Sequence, residues 1–203
     1  MEIKNEINYW DSFYQNESPP SSPSSFSEYI LPYVKDTHKT LLDIGCGNGR
    51  DSLFFKNNGF DVISIDSSKS PNFLGDSNNF FKVNINDINF KVDIYYARFF
   101  IHAIKENTLD SFIENLYKLM SKKSKFIFET RSTKGITNLE KKETNFKSSI
   151  GEKHFRMLYS INYLRNKLEK KFKIDHLIEI NNVTKYKNDN PYVIRGIVTK
   201  KLT

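Results

Sequence analysis

The sequence predicts a doubly wound α/β fold on a mostly parallel sheet of about seven strands. Three observations predict it. Short apolar runs alternate with helical patterns between residues 40 and 130, a glycine turn joins the first run to a helix, and two further strands close the chain. Leu41-Leu42-Asp43-Ile44 reads as a buried strand, Gly45-Cys46-Gly47-Asn48-Gly49 as the turn, and 50–58 as a helix carrying Leu53, Phe54 and Phe55 that stops at Gly59.

The remaining elements follow in order. Residues 6–16 form a short amphipathic helix with Trp10, Phe13 and Tyr14 on one face. A Ser/Pro linker, 18–25, leads into a helix over about 25–34 with a serine as N-cap. After the first strand and helix come strand 61–66, a short irregular helix near 69–75, and strands at about 80–84 and 92–97. The strongest helical period runs over 108–121, with Leu109, Phe112, Ile113, Leu116 and Met120 on one side. Strand 126–130 follows, then a polar stretch, 132–152, expected to cover the site. A helix over 158–171 precedes closing strands at about 173–181 and 191–200.

With 203 residues and 14% aromatics the chain suits one domain, 1–203, with a sizeable core. In that reading 1–24 are an N-terminal helix and linker that act either as a lid or as plain packing. No long apolar run or signal-peptide pattern is present, so the expectation is a cytoplasmic protein without a membrane span. Cys46 is the single cysteine, which excludes an intrachain disulfide and a cysteine-based metal cluster; no metal is expected. The net charge of +7 could signal nucleic acid or an anionic substrate, but the lysine pairs at 122–123, 141–142, 170–171 and 200–201 fall in separate elements without a basic stripe. Nucleic acid is therefore not the expected partner, and oligomeric state is left open.

Two details narrow the ligand of the turn. A dinucleotide fingerprint needs Gly or Ala three residues after its second glycine, where this chain has Arg50. Asp43, before the first glycine, would repel a pyrophosphate but can hold a cationic amino-acid head group. Asp66, at the end of the next apolar run, is placed to accept the hydroxyls of a ribose. The turn and these two acids resemble the cofactor motifs of class I S-adenosylmethionine-dependent methyltransferases. The resemblance implies a Rossmann-like sheet whose last strand is antiparallel, S-adenosylmethionine as cofactor, and Asp43, Gly45, Gly47, Asn48, Arg50, Asp66 and Ser67 around it. The adenine amino group would be met after the third strand by Asn84, beside Ile85, or in the alternative register by Asp87.

Tyr95-Tyr96-Ala97-Arg98-Phe99-Phe100-Ile101-His102-Ala103 follows the fourth strand. The Asn/Asp-Pro-Pro-aromatic run of amide and base N-methyltransferases is missing there, as are a free cysteine nucleophile and a set of metal-binding carboxylates. His102 is either a general base for a hydroxyl or amine or a packed histidine. Arg98, like Arg50, either makes a local salt bridge or reaches the cofactor or an anionic substrate. Later segments, Glu129-Thr130-Arg131, Glu152-Lys153-His154-Phe155-Arg156 and Asn190-Pro191-Tyr192-Val193-Ile194-Arg195, together with Trp10-Asp11-Ser12-Phe13-Tyr14, are similar to small bacterial methyltransferases associated with surface-polysaccharide or small-metabolite genes. Phe155 and Asn190 depart from that pattern, which has a second arginine and an aspartate at those places. Arg131, His154, Arg156 and Arg195 could form a cationic fork for a small anionic substrate, a phosphate-bearing or sugar-nucleotide-like metabolite; alternatively Arg195 pairs with Glu129 or Glu179. The rival functions are methylation of RNA or protein, and non-catalytic binding of S-adenosylmethionine.

Overall fold

The computed structural model describes residues 9–14, 20–35, 40–68, 80–83, 87–147, 153–186 and 188–201. The strands of the main sheet are β1 (Thr40–Ile44), β2 (Asp61–Asp66), β3 (Phe80–Lys82), β4 (Ile94–Arg98), β5 (Lys125–Arg131), β8 (Phe172–Ile180) and β9 (Val193–Lys200). They lie in the order β3-β2-β1-β4-β5-β9-β8. The first five run parallel, and β9 pairs antiparallel with both β5 and β8, as the sequence led us to expect. The chain moves outward one way through β2 and β3, then returns to place β4 on the other side of β1. The carboxyl ends of β1 and β4 therefore form the switch point, where ligands of doubly wound sheets bind.

Both faces of the sheet are covered, so its central strands read as continuous apolar runs. Alternate residues of each strand feed opposite cores. Leu42, Tyr95, Phe126 and Phe128 pack with Leu109, Phe112, Ile113 and Leu116 of α3 (Glu106–Leu119) and with Leu164 and Leu168 of α4 (Ile161–Leu168). Leu41, Ile94, Tyr96 and Ile127 pack with Phe26 and Ile30 of α1 (Ser25–Ile30) and with Phe55 of α2 (Arg50–Asn57). Ser24 caps α1 by accepting from Ser27 N–H at 3.1 Å. That helix tightens into a 3₁₀ turn at Leu31–Tyr33, where Pro32 withholds its N–H. No helix among the described residues is long and apolar enough to cross a membrane.

One region departs from the sequence reading. Within the stretch expected to lack regular structure lies β6 (Lys141–Lys147), which forms an antiparallel ribbon with β7 (Lys153–Tyr159). The helix after it starts at Ile161, capped by Ser160, instead of at 158. In β7, Phe155, Met157 and Tyr159 join the main core while His154 and Arg156 are also buried. The basic residues hide a two-residue period that is otherwise regular. β6 is polar because its one strand partner is β7. The helix expected near 69–75 lies outside the described residues.

Register also sets a row of charge across the carboxyl ends of β4 and β5 and the amino end of the antiparallel β9. Arg98 of β4 stands opposite Glu129 of β5, and Glu129 opposite Arg195 of β9. The Arg98 Nε donates to Glu129 Oε1 at 3.1 Å and the Arg195 Nε to Oε2 at 2.8 Å; Glu129 is wholly buried. Arg195 also donates to Ser25 Oγ and lies over the rings of Phe26 and Tyr29. Of the two places the sequence leaves open for Arg195, the structure shows the pairing with Glu129. Beyond Arg98 the row continues to Asp51. That carboxylate accepts from Ser24 N–H (2.8 Å), Ser24 Oγ (2.7 Å), Tyr96 Oη (2.7 Å) and Ser27 Oγ (3.2 Å). Burial alone would raise the Asp51 pKa, but Arg98 and these donors hold it below the ordinary carboxylate value. Glu129→Ala leaves the buried Arg195 without a counter-charge and Arg98 with Asp51 alone, and is expected to cost about 3–5 kcal/mol, read as a shift of the urea midpoint at constant slope. A loss under about 1 kcal/mol would mean that the pair behaves like a surface salt bridge.

Candidate active site

The glycine turn leaves β1 with Gly45, Gly47 and Gly49 all left-handed, at φ +71°, +58° and +78°. A side chain at Gly45 would press on the Phe100 ring at 3.0 Å, and one at Gly47 would collide with the Tyr14 hydroxyl. Phe100 and Tyr14 thus close over backbone that must stay bare. Gly45 and Cys46 N–H donate to the Ile65 carbonyl at 2.8 and 3.1 Å, tying the turn to β2. Asp66 Oδ2 accepts from Gly47 N–H at 2.9 Å, and Oδ1 accepts from the N–H and Oγ of Ser68, both at 2.8 Å. Ser68, not the exposed Ser67, is the residue that orients Asp66.

Asp43 is buried beneath the turn, its Oδ2 accepting from Ser52 Oγ at 2.6 Å. Burial pushes this carboxyl up to about 8, against the pull of the Ser52 bond, and Asp51 and Asp66 push the same way. Such an acid is short of positive charge. Asn48 and Arg50, expected at the cofactor, direct their side chains elsewhere: Asn48 Nδ2 donates to the Pro20 carbonyl at 3.0 Å and Arg50 Nη1 to the Ser22 carbonyl at 3.2 Å. Both fasten the linker beside the turn. Asn84 and Ile85 lie outside the described residues.

Beyond Arg98 the chain turns sharply through Phe99, a non-glycine residue at φ +57° whose N–H donates to the Glu129 carbonyl at 2.8 Å. Left-handed backbone at such a residue is uncommon and marks functional turns. The Phe99 ring lies 4.3 Å from the Arg98 guanidinium and 5.1 Å from the His102 ring. His102 sits in the 3₁₀ turn Ile101–Ala103 and is buried. Its Nδ1 accepts from the Arg131 backbone N–H at 3.0 Å and lies 3.1 Å from Thr130 Oγ1, while its buried Nε2 has no partner among the described residues. Burial, then Arg156, Arg131, His154 and Arg98, holds its pKa well below the ordinary imidazole value. The general-base role therefore meets a physical obstacle. A backbone N–H occupies the lone pair of Nδ1, so the neutral ring carries its proton on Nε2 and donates there.

The helical residues 9–14 and β7 meet around this histidine. Tyr9 stacks on His154 at 4.6 Å, Trp10 lies 5.6 Å from the same ring, and the Arg156 guanidinium sits 5.2 Å over Trp10. His154 and Arg156 thus lie near enough to His102 to act on its charge. Arg131 joins them through its backbone, but its guanidinium forms a bidentate pair with Asp189. Sequence reasoning missed Asp51, Glu129 as a double acceptor, and Tyr14 and Phe100 as covers of the turn. The Asp51 contacts span 24 to 45 residues of sequence and leave no local signal.

A family profile described as a methyltransferase domain matches residues 18–171. A curated Saccharomyces cerevisiae protein, "Probable S-adenosylmethionine-dependent methyltransferase CRG1", is 36% identical over 61 residues, which are 30% of this chain and 21% of that protein. The chain thus matches about a fifth of that relative's length. Among solved structures, the Burkholderia thailandensis 1,6-didemethyltoxoflavin-N1-methyltransferase, with bound 1,6-didemethyltoxoflavin and S-adenosylhomocysteine, superposes with a TM-score of 0.77 at 11% identity, covering 98% of this chain and 88% of that one. A Clostridium acetobutylicum S-adenosylmethionine-dependent methyltransferase gives 0.67 at 14% identity and 98% of both chains. These two share the fold, and the turn, the paired acids and the strand order fit it. With three quarters of its length matched by the profile, the chain belongs to the methyltransferase domain family, in the class I S-adenosylmethionine-dependent group.

Proposed function

We propose that this chain transfers the methyl group of S-adenosylmethionine to an O or N atom of a small anionic metabolite. The observation that carries the reading is the convergence of His102, His154 and Arg156 under an aromatic helix, beside a glycine turn flanked by Asp43 and Asp66. The turn fits the cofactor on its own geometry: side chains are excluded at Gly45 and Gly47, and a buried, proton-retaining carboxyl lies below. In this reading Asp66 holds the ribose and Asp43 faces the cationic head group, through charge rather than direct geometry. The cofactor supplies a methyl group on a positively charged sulfur, already activated for transfer. The protein's work is then alignment and exclusion of water, and alignment can supply about 7–11 kcal/mol of a barrier. Tyr14, whose hydroxyl is kept protonated by burial and by Asp66, and Trp10 are the covering groups.

The Burkholderia neighbour is seen with 1,6-didemethyltoxoflavin bound, which favours a small-molecule acceptor. The net charge of +7 gives the RNA or protein alternative little support at this site. Lys122, Lys173, Lys200 and Lys201 line a depression at the opposite, amino-terminal end of the parallel strands. With methyl-labelled S-adenosylmethionine and source-cell lysate split by ultrafiltration, label is expected in the low-molecular-weight fraction. Label confined to macromolecules would overturn the reading.

The Asp43 environment gives a pH prediction. Its folded value, about 8, lies above the ordinary 3.8, so the native chain retains a proton that the unfolded chain releases. The stability this confers is complete below pH 3.8 and is lost as pH rises through about 8. A bound cation favours the ionised form, so cofactor affinity is expected to rise with pH until the cofactor's own amino group, near 7.7–8.0, begins to lose its proton. Asp43→Asn should abolish that rise and weaken binding at pH 8, yet raise the unliganded stability there by about 1 kcal/mol or more. Calorimetry and thermal melts read the two effects separately. Equal affinity of both proteins at pH 8 would remove Asp43 from the cofactor site.

A further inference from the structure

We propose that the methylated atom is an oxygen of a substrate carboxylate, bound by the Nε2–H of His102 beside Arg156, so that the product is a methyl ester. This rests on the small-metabolite reading above and specifies its acceptor. The tautomer of His102 is the first support. Since the Arg131 N–H can only donate, Nδ1 accepts it, and the ring proton stands on a buried Nε2 that has no partner among the described residues. Such a buried donor calls for a lone pair from water or ligand.

The charge around the ring is the second support. The groups acting most strongly on it are Arg156, Arg131, His154 and Arg98, and no acid is among them. Nearest along the sheet, Glu129 is held by Arg98 and Arg195 and Asp189 by Arg131, while Asp43, Asp51 and Asp66 lie about the glycine turn. An alcohol acceptor would find His102 unable to take its proton, and an ammonium would be repelled. A carboxylate needs no base and is attracted. The walls are the third support: the Arg156 guanidinium sits 5.2 Å from the Trp10 ring centroid and the His154 ring stacks on Tyr9 at 4.6 Å, so a guanidinium that suits a planar anion is held in place by aromatic packing.

The step balances without a proton. One carboxylate oxygen stays on the Nε2–H, and the other forms the new C–O bond as the methyl–sulfur bond breaks and its electron pair remains on sulfur. The negative charge of the acceptor and the positive charge of the sulfonium vanish together, leaving a neutral ester and a neutral thioether. His102 here binds and orients; it moves no proton.

The test uses the full chain, methyl-labelled S-adenosylmethionine and a low-molecular-weight filtrate of source cells, followed by mild alkali. Esters release their label as volatile methanol, whereas methyl ethers and N-methyl groups keep it. The expected result is volatile label. His102→Ala is expected to raise KM for the filtrate activity by about 10- to 100-fold, the worth of a hydrogen bond to a charged group, and His102→Gln, which restores an N–H near Nε2, to recover part of it. Alkali-stable label in the small-molecule fraction would overturn the carboxylate assignment and leave the methyltransferase reading standing. Label on macromolecules alone, or none, would overturn that underlying reading. Independently of turnover, ¹⁵N spectra of His102 are expected to show the Nε2-protonated ring; an Nδ1-protonated ring would overturn the donor role.

Discussion

Glu129, buried between Arg98 and Arg195, is the interaction on which the rest of the site depends. It sits on a middle strand and binds one arginine from each neighbour, so the carboxyl ends of β4 and β5 and the amino end of β9 are locked in one register. A carboxylate so deep is tolerable because both of its oxygens are bonded to guanidinium groups. The consequences run in two directions. Arg98 faces Asp51, whose four hydrogen bonds fasten residues 24–27 and the start of α2 beside the glycine turn. Meanwhile the Glu129 carbonyl takes the Phe99 N–H, forcing the left-handed turn that delivers His102 next to Thr130 and Arg131.

The two halves of the site have opposite electrostatics. At the β1 end, Asp43, Asp51 and Asp66 gather around the turn, and burial, helped by the two neighbouring acids, keeps Asp43 protonated until a cation arrives. At the β4 and β5 ends, Arg98, Arg131, Arg156 and His154 surround a neutral imidazole. A sulfonium cofactor with a cationic head group suits the first half, and an anionic acceptor suits the second. Asp43 illustrates the conflict this creates: a carboxyl kept out of water destabilises the empty protein at neutral and higher pH, and only a bound ligand offsets that cost.

Much of the fold was legible in the sequence because central parallel strands and amphipathic helices carry local patterns. Leu109, Phe112, Ile113 and Leu116 are buried as their spacing implied, and the glycine turn falls between β1 and α2. The β6–β7 ribbon was not legible, since Lys, His and Arg in β7 mask its alternation and β6 has no apolar face. Among site residues, Asp43, Gly45, Gly47 and Asp66 come together as their order along the chain implied. Arg195 is bonded to Glu129, and a lone arginine on a strand gives no sign whether its partner is a ligand or a carboxylate 66 residues away. Arg50 and Asn48 followed a motif for position, yet their side chains serve the linker. Tyr14 was placed on an aromatic face, but its seat over Gly47 is a tertiary fact.

The central claim is that the turn and its two acids hold the adenosyl cofactor. Titration calorimetry of S-adenosylhomocysteine into the full chain, and into its Asp66→Ala variant, tests it most directly. The account predicts one site per chain, and a loss of at least about tenfold in affinity for the variant, as expected when a hydrogen bond to a charged group is removed. Absence of binding to the parent chain, or equal binding by both proteins, would contradict it.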